Sequence, residues 1–515
     1  MFQVQAETII VNGKVTTMDI LHPFARAVAI GGGRILAVGA EADIMALAGE
    51  QTQIIDAGDN TVLPGFIDSH VHFMGTGLDA ASVFLTGAED QSVFLDRLDK
   101  KAATLKPGAW LRGYGYDETK FTEGALPSLE RLDGAYPDRP VFLSRIDAHA
   151  CFLNTTAFHL LGLDPCTAGI ECDAGGRPTG VLRAEANSIA RRTMSEELTT
   201  DEMRREAMEY GAQIAAAAGV TTVHALEGGS LYSDKDVDVL SRYQDQIPLR
   251  TVIYHQIMDV PRVRAEGFPR IGGCITLDGS LGSYTAALLE PYADRPETCG
   301  QPYYTQQEVN EFVLEAHCAG MQIAMHTIGD AAIEMLMKAY ERALKKYPRP
   351  GHRHRFEHFS VPTYDQVRRA KALGVCIAVQ PSFDYFTSGV MMPARLGPQR
   401  VKRSYPLRTL LEEGLILGGG SDSNITPISP LLGIYSAMTH TQPLQRLSLY
   451  ESLKLFTTGA AYLAFEEQDK GSLEPGKLGD VTVVEGDLWT MTPKEIKDAK
   501  ILYTILGGRV TFSTP

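Results

Sequence analysis

No apolar stretch in this chain approaches the roughly 18 residues needed to cross a bilayer. The opening residues, Met1-Phe2-Gln3-Val4-Gln5-Ala6-Glu7, also lack a basic stretch leading into an apolar core. These absences predict a soluble, unexported chain with no membrane partner. Cysteine is sparse: the seven are scattered from Cys151 to Cys376 without a CxxC pair. That spacing excludes a disulfide framework and a structural zinc knuckle, and it fits a reducing, cytoplasmic setting. Dense basic tracts are missing as well. With 48 Lys+Arg against 63 Asp+Glu, a net charge of −15, nothing could follow a phosphate backbone, so no nucleic-acid partner is expected. Low-complexity tracts are absent too. What remains is a 515-residue chain able to bury a large core, and its length predicts one large domain plus something smaller.

Between about 300 and 422 one local grammar recurs: a polar helix start, an amphipathic stretch, a glycine, then a short apolar strand ending in polar residues. This is βα repetition. Thr305 and Glu308 have capping-box spacing, Val309, Phe312, Val313 and Ala316 keep helical period, and Gly320 suits the position past the helix end. The strand at 321–325 then delivers His326. A second helix opens at Thr363 with Gln366 and closes at Gly374, and a third ends at Gly414. Upstream, a helix from about Thr199, capped with Glu202, leads to a strand at 220–224. Strands near 66, 222, 252, 275, 323, 355, 377 and 417 make eight, so the predicted class is α/β, a (β/α)8 TIM barrel. Residues 80–198 fall outside the repeat and read as a long insertion, or lid, after barrel strand 1. The barrel domain is placed at 61–469. Residues 1–60 and 470–515 alternate short apolar runs with glycine turns such as Asn12-Gly13 and Gly507-Gly508, and are expected to build one small discontinuous β-sandwich.

The segment Pro64-Gly65-Phe66-Ile67-Asp68-Ser69-His70-Val71-His72 puts two histidines on one side of an extended run. Neutral imidazoles so placed can converge on one metal ion. His326, His358 and Asp422 also fall at strand C-terminal ends, and in a barrel these ends share one rim where catalytic groups collect. Three imidazoles and a carboxylate suit zinc or a similar divalent ion.

With PGFIDSHVHF at 64–73, GVTTVHA at 219–225, LDGSLGSYTAALLEPY at 277–292, MHTIGDAAI at 325–333, RFEHFS at 355–360, GGGSDS at 418–423 and GSLEPGKLGDVTVVEGD at 471–487, the chain resembles the amidohydrolase superfamily. Within it, the resemblance is to the long YtcJ-like branch that includes N-substituted formamide deformylase, and it covers almost the whole chain. It implies that His70, His72, His326 and Asp422 surround the metal, while His358 binds a second metal or assists catalysis from the edge. Many relatives carry a strand-4 lysine, carboxylated to bridge two metals; here that position is Cys274, and 268–284 holds no lysine. Cys274, Glu227 and His224 become candidate substitutes; one ion per chain, zinc, is expected, with a second, weaker ion as the alternative if Cys274 or Glu227 reaches the centre. Where relatives read GSRTA, Tyr284 replaces the arginine, so an inherited anion-binding role is in doubt.

The function implied is metal-dependent hydrolysis of a non-peptide C–N bond, an amide or N-substituted formamide. Asp422 would take a proton from an activated water and pass it to the leaving nitrogen, with His358 or the ion polarising the carbonyl. Trp110, Tyr114, Tyr116, Arg145 and His149 in the insertion, and Asp278, are the expected substrate-binding residues of a small-molecule enzyme. The alternatives are a lyase, isomerase or decarboxylase using the same metal site, and a non-catalytic ligand-binding barrel. His22, His159, His317, His352, His354 and His440 read as structural. The sequence leaves the oligomeric state open, a homo-oligomer included.

Overall fold

The computed structural model describes residues 5–145, 150–164, 166–229 and 232–514. Eight parallel strands lie in one sheet in chain order: Phe66–Val71, Val220–Glu227, Arg250–His255, Arg270–Thr276, Gln322–Thr327, Arg355–His358, Cys376–Val379 and Ile416–Gly419. They are called barrel strands 1 to 8 below. Each expected position is matched by a strand. Just beyond strand 8 the chain meets strand 1 again, through a parallel bridge between Val71 and Ser423. The strands are almost wholly buried and rich in Val, Ile, Ala and Gly, as a parallel sheet covered on both faces requires.

The intervening helices begin and end as their sequences dictate. Thr305 and Glu308 form a capping box on the helix Gln306–Cys318, as do Thr363 and Gln366 on Tyr364–Leu373. Gly374 closes the second in the left-handed conformation, φ 71°, where a glycine has no Cβ to clash. One cap differs from the expected pattern. The Thr199 hydroxyl donates to the Met194 carbonyl at 2.7 Å, and it is Thr200 Oγ1 that accepts from the Met203 amide. The helix therefore starts one residue later, at Asp201.

Before strand 1 and after the last barrel helix lie two further sheets. Four strands, Arg34–Gly39, Ala27–Gly31, Ala6–Val11 and Ala48–Asp56, are adjacent in that order. The other sheet runs Arg509–Ser513, Ile501–Leu506, Val481–Val484, Thr61–Pro64, Lys14–Thr16 and Phe24–Ala25, so both chain ends pair within it, Thr482 opposite Leu63. Ile10, Val28 and Ile55 of the first sheet and Val62, Val481 and Ile505 of the second belong to one buried apolar cluster.

Where the insertion is expected, Met74–Gly211 forms a compact unit of its own. Strands Val83–Phe84, Leu111–Tyr116 and Val141–Arg145 run parallel, with the helices Gln91–Ala102 and Leu129–Ala135 between them, and three antiparallel strands extend the sheet. One cluster of the unit centres on Phe94, Leu111, Leu143 and Phe152, a second on Phe142, Cys151, Leu153 and Leu182. Among the described residues no helix is long and apolar enough to cross a membrane.

Candidate metal centre

Barrel strand 1 carries His70 and, just past its end, His72, both buried. On its open side the loop after strand 8 is stitched to it: the Asp422 amide donates to the His70 carbonyl at 2.8 Å and the His72 amide to the Ser423 carbonyl at 2.6 Å. The three glycines before this loop permit the approach. A Cβ on Gly420 would stand 2.6 Å from that of His70, so any side chain there would push Asp422 away. Asp422 and His358 both sit in the left-handed region, φ 57° and 68°, uncommon for residues with a Cβ and a form of local strain found at functional sites.

The imidazoles are fixed by what their outer nitrogens touch. His70 Nδ1 donates to Glu357 Oε2 at 2.6 Å, His72 Nδ1 to the Leu226 carbonyl at 3.2 Å, and His358 Nδ1 to Gln380 Oε1 at 2.7 Å. His326 Nε2 faces the Gly279 carbonyl at 3.4 Å and Asp278 Oδ1 at 3.5 Å. With those protons committed outward, each ring turns its other nitrogen inward, the tautomer control seen around metal-binding histidines. Inside, Asp422 Oδ1 lies 3.3 Å from His70 Nε2 and 3.2 Å from His72 Nε2. Cys274 Sγ lies 3.5 Å from His326 Nδ1 and 3.8 Å from His358 Nε2.

Charge in this cluster is coupled to its burial. Burial alone would raise the Cys274 thiol, but His326, His358 and His70 hold it well below the usual thiol range. Asp422, which burial would also raise, is held well below the usual carboxylate range by His70 and His72. The imidazoles respond in kind: against the opposing effect of burial, Asp422 and Cys274 raise His72 to about 10, and Cys274 and Asp278 raise His326 to about 10. Two buried anions thus draw positive charge to the centre. His70 Nε2 and Asp422 Oδ1 are buried and make no hydrogen bond despite their proximity, a pairing that a cation shared by lone pairs completes. The donor set fits a divalent ion of the zinc type.

Among the described residues, two overlapping groups have their ligand atoms within 4.8 Å of one another: His70, His72 and Asp422, and His70, Cys274 and His358. His326 joins through Cys274. Glu227, buried at the end of strand 2, belongs to neither group. His224 does not substitute for the missing lysine: its Nδ1 faces the Arg355 guanidinium at 3.0 Å, and burial together with that charge keeps it neutral.

Beneath the donors lies a layer that sequence reasoning passed over. Glu357, two residues from Arg355 and on the same face of strand 6, receives His70 and pairs with Arg355, both side chains fully buried. Arg355 also donates to Tyr254 Oη and the Ser69 carbonyl. Two opposite charges two residues apart on one short strand were the available signal. Asp278 is wholly buried and accepts from the Ala287, Ile328 and Gly329 amides.

The other expected substrate residues belong to the Met74–Gly211 unit. Trp110 packs against its second apolar cluster, Tyr114 makes an edge contact with Phe84, and Tyr116 is 1% exposed within its core. Arg145 is paired with Asp117 and Glu118. His149 lies outside the described residues.

Known proteins carry the same architecture. A 30% identical relative is the putative amidohydrolase YtcJ of Bacillus subtilis (strain 168), matched over 90% of this chain and 91% of that one. N-substituted formamide deformylase of Arthrobacter pascens is 25% identical over 98% and 97%. The crystal structure of an uncharacterized metal-dependent hydrolase from Pyrococcus furiosus superposes with a TM-score of 0.80 at 28% identity, covering 93% of this chain and 99% of that one. The amidohydrolase family profile matches residues 53–512, and the chain belongs to that family.

Proposed function

We propose that this chain is a metal-dependent hydrolase of a non-peptide amide, of the N-substituted formamide class, with zinc as the resident metal. The observation that carries the reading is the arrangement of four buried imidazoles, each with one nitrogen facing an outward acceptor and the other aimed at a centre containing Asp422 and Cys274. The relative from Arthrobacter pascens is named for formamides, which suggests the substrate class.

His70, His72 and Asp422 would hold one ion, and His326 and His358 a second, with the Cys274 thiolate between them. Of the two counts the sequence leaves open, one ion or a second reached through Cys274, this takes the second. Two dications need an anion between them, and Cys274, an anionic donor beside His326 and His358, also shares a donor group with His70 of the first ion. When bound, such ions activate water and polarise a carbonyl. Asp422, kept ionised, accepts the proton of the attacking water and delivers it to the departing nitrogen. His358, steadied by Gln380, would act on the carbonyl oxygen through the ion it holds. Glu357 and Arg355 orient His70, and Asp278 orients His326 rather than touching substrate. Trp110, Tyr114 and Arg145 remain candidates for substrate contact from their own unit. The two terminal sheets are proposed as one β-sandwich built from residues 1–60 and 470–515, supported by their common apolar cluster.

The test is release of formate and amine from N-substituted formamides by zinc-loaded protein, with chelator-stripped protein beside it. Turnover lost on stripping and restored by zinc is expected; equal turnover in both would refute the proposal. Metal content decides the ion count. Two ions per chain are expected in wild type and fewer in Cys274→Ser, whereas one ion in both returns the site to a single metal.

A further inference from the structure

On the same rim, a cavity of about 230 Å3 opens against Cys274. Its walls come from the C-terminal ends of barrel strands 2, 3 and 4: the Gly228-Gly229 turn, the run from Gln256 to Met258, and Cys274 with Ile275; Tyr304 stands before the following helix. These are the strand ends that carry chemistry in a barrel, and Cys274 belongs both to this wall and to the donor group with His70 and His358. The cavity therefore adjoins the centre where the scissile bond must sit.

The chemistry of the wall is one-sided. Ile257, Met258 and Ile275 are apolar, and among the described lining residues the one ionised side chain is Cys274, where the cavity meets the donor group. Gln256 is already committed: its Oε1 accepts from the Cys274 amide at 2.8 Å and its Nε2 donates to the Gly228 carbonyl at 3.2 Å. Its amide ties the three strand ends together and is spent in doing so. The turn that completes the wall has a required composition, because a Cβ on Gly229, at φ 71°, would fall 2.1 Å from the Gln256 carbonyl oxygen. A charged group entering such a space would lose its hydration without replacement; a hydrocarbon group would gain by leaving water. At about 30 Å3 for each water-sized group, the volume accepts roughly seven heavy atoms.

The geometry points to this cavity as the subsite for an uncharged hydrocarbon substituent of about five to seven carbons on the scissile nitrogen, with Met258 on its wall. The inference rests on the formamide reading above: a formyl carbon carries only hydrogen, so the hydrocarbon must hang from nitrogen.

Linear N-alkylformamides from propyl to decyl test it on the zinc-loaded full chain, with hydrolysis and calorimetric binding recorded for each. Affinity, or kcat/KM where turnover occurs, should rise about fourfold per methylene and level off near seven carbons. Met258→Trp should move the plateau to shorter chains and Met258→Ala to longer ones. A response flat in chain length, or a plateau that neither variant moves, overturns the subsite. Should either variant fail to fold, the wild-type plateau still decides. Length-dependent binding without hydrolysis would uphold the cavity and defeat the reaction proposed above; hydrolysis indifferent to length would do the reverse.

Discussion

At the entry ends of strands 5 to 7, His317, His352 and His354 form a closed relay, whereas at the exit ends His70, His72, His326 and His358 turn nitrogens towards a common centre. In the first group every ring nitrogen has a protein partner. The Ile323 amide donates to His354 Nδ1, His354 Nε2 to His317 Nδ1, and His317 Nε2 to the Tyr347 carbonyl. The His354 amide donates to His352 Nδ1, whose Nε2 reaches the Leu373 carbonyl. A chain with one proton per ring is complete, and burial holds all three pKa values below the usual 6.5. At the exit end, Asp422 and Cys274 push His72 and His326 the opposite way. The two groups differ in what the second nitrogen meets: an amide, a carbonyl or another imidazole in the relay, an anionic carboxylate or thiolate at the centre.

The sharpest way to break this contrast is to remove one member from each end. His326→Ala should lose metal, and activity should fall by about a thousandfold or more, since several kcal/mol of charge stabilisation goes with the ion. Metal analysis of the folded variant checks this, and full zinc occupancy would refute the assignment. His354→Ala should leave metal and turnover per folded molecule near wild type while costing about 2–4 kcal/mol of stability, from a cavity and broken buried hydrogen bonds. A urea titration measures that loss; a selective drop in metal content would blur the distinction between the two ends.

A subtler change sharpens it. Glu357→Gln keeps the shape of the support beneath His70 but removes its charge, and should weaken metal binding by about 10- to 100-fold. Competition with a chelator gives the constant, and unchanged affinity would make Glu357 a structural partner of Arg355 alone.

The smallest effect expected is in pH dependence. The folded relay resists protonation, so the unfolded chain, with imidazoles near 6.5, takes up protons first on acidification. Stability from the relay is therefore present above about pH 6.5 and declines as pH falls through it, by at most about 1.4 kcal/mol per unit for each site. Urea midpoints between about pH 7.5 and 5.5 should fall less steeply in His354→Ala than in wild type. Equal slopes would show that the relay does not titrate on unfolding.

Much of this was legible along the chain. The eight strands follow from short apolar runs between capped helices, because period and capping are local properties, and Thr305 with Glu308 closed its box as spaced. His70, His72, His326, His358 and Asp422 were visible because strand ends in a parallel barrel share a rim. Other features depend on what lies across the barrel. That Thr200 rather than Thr199 caps its helix turned on a competing carbonyl at Met194. The seat of Asp278 is another: beside the nearby Ala287 amide, its oxygens accept from the Ile328 and Gly329 amides, some 50 residues on.

By itself, then, the sequence determined the architecture and the kinds of donor at the rim, since both are written in spacings of two and three to four residues. Tertiary structure alone decided how those donors divide. His70 is shared between two groups, Cys274 lies against His326 and His358, and His224 is held by Arg355. Those relations join residues 50 to more than 350 positions apart, through distances of a few ångströms that no local pattern encodes. The protonation of each group follows from the same closeness, because within a buried barrel a charge is set by its neighbours rather than by its own chemistry.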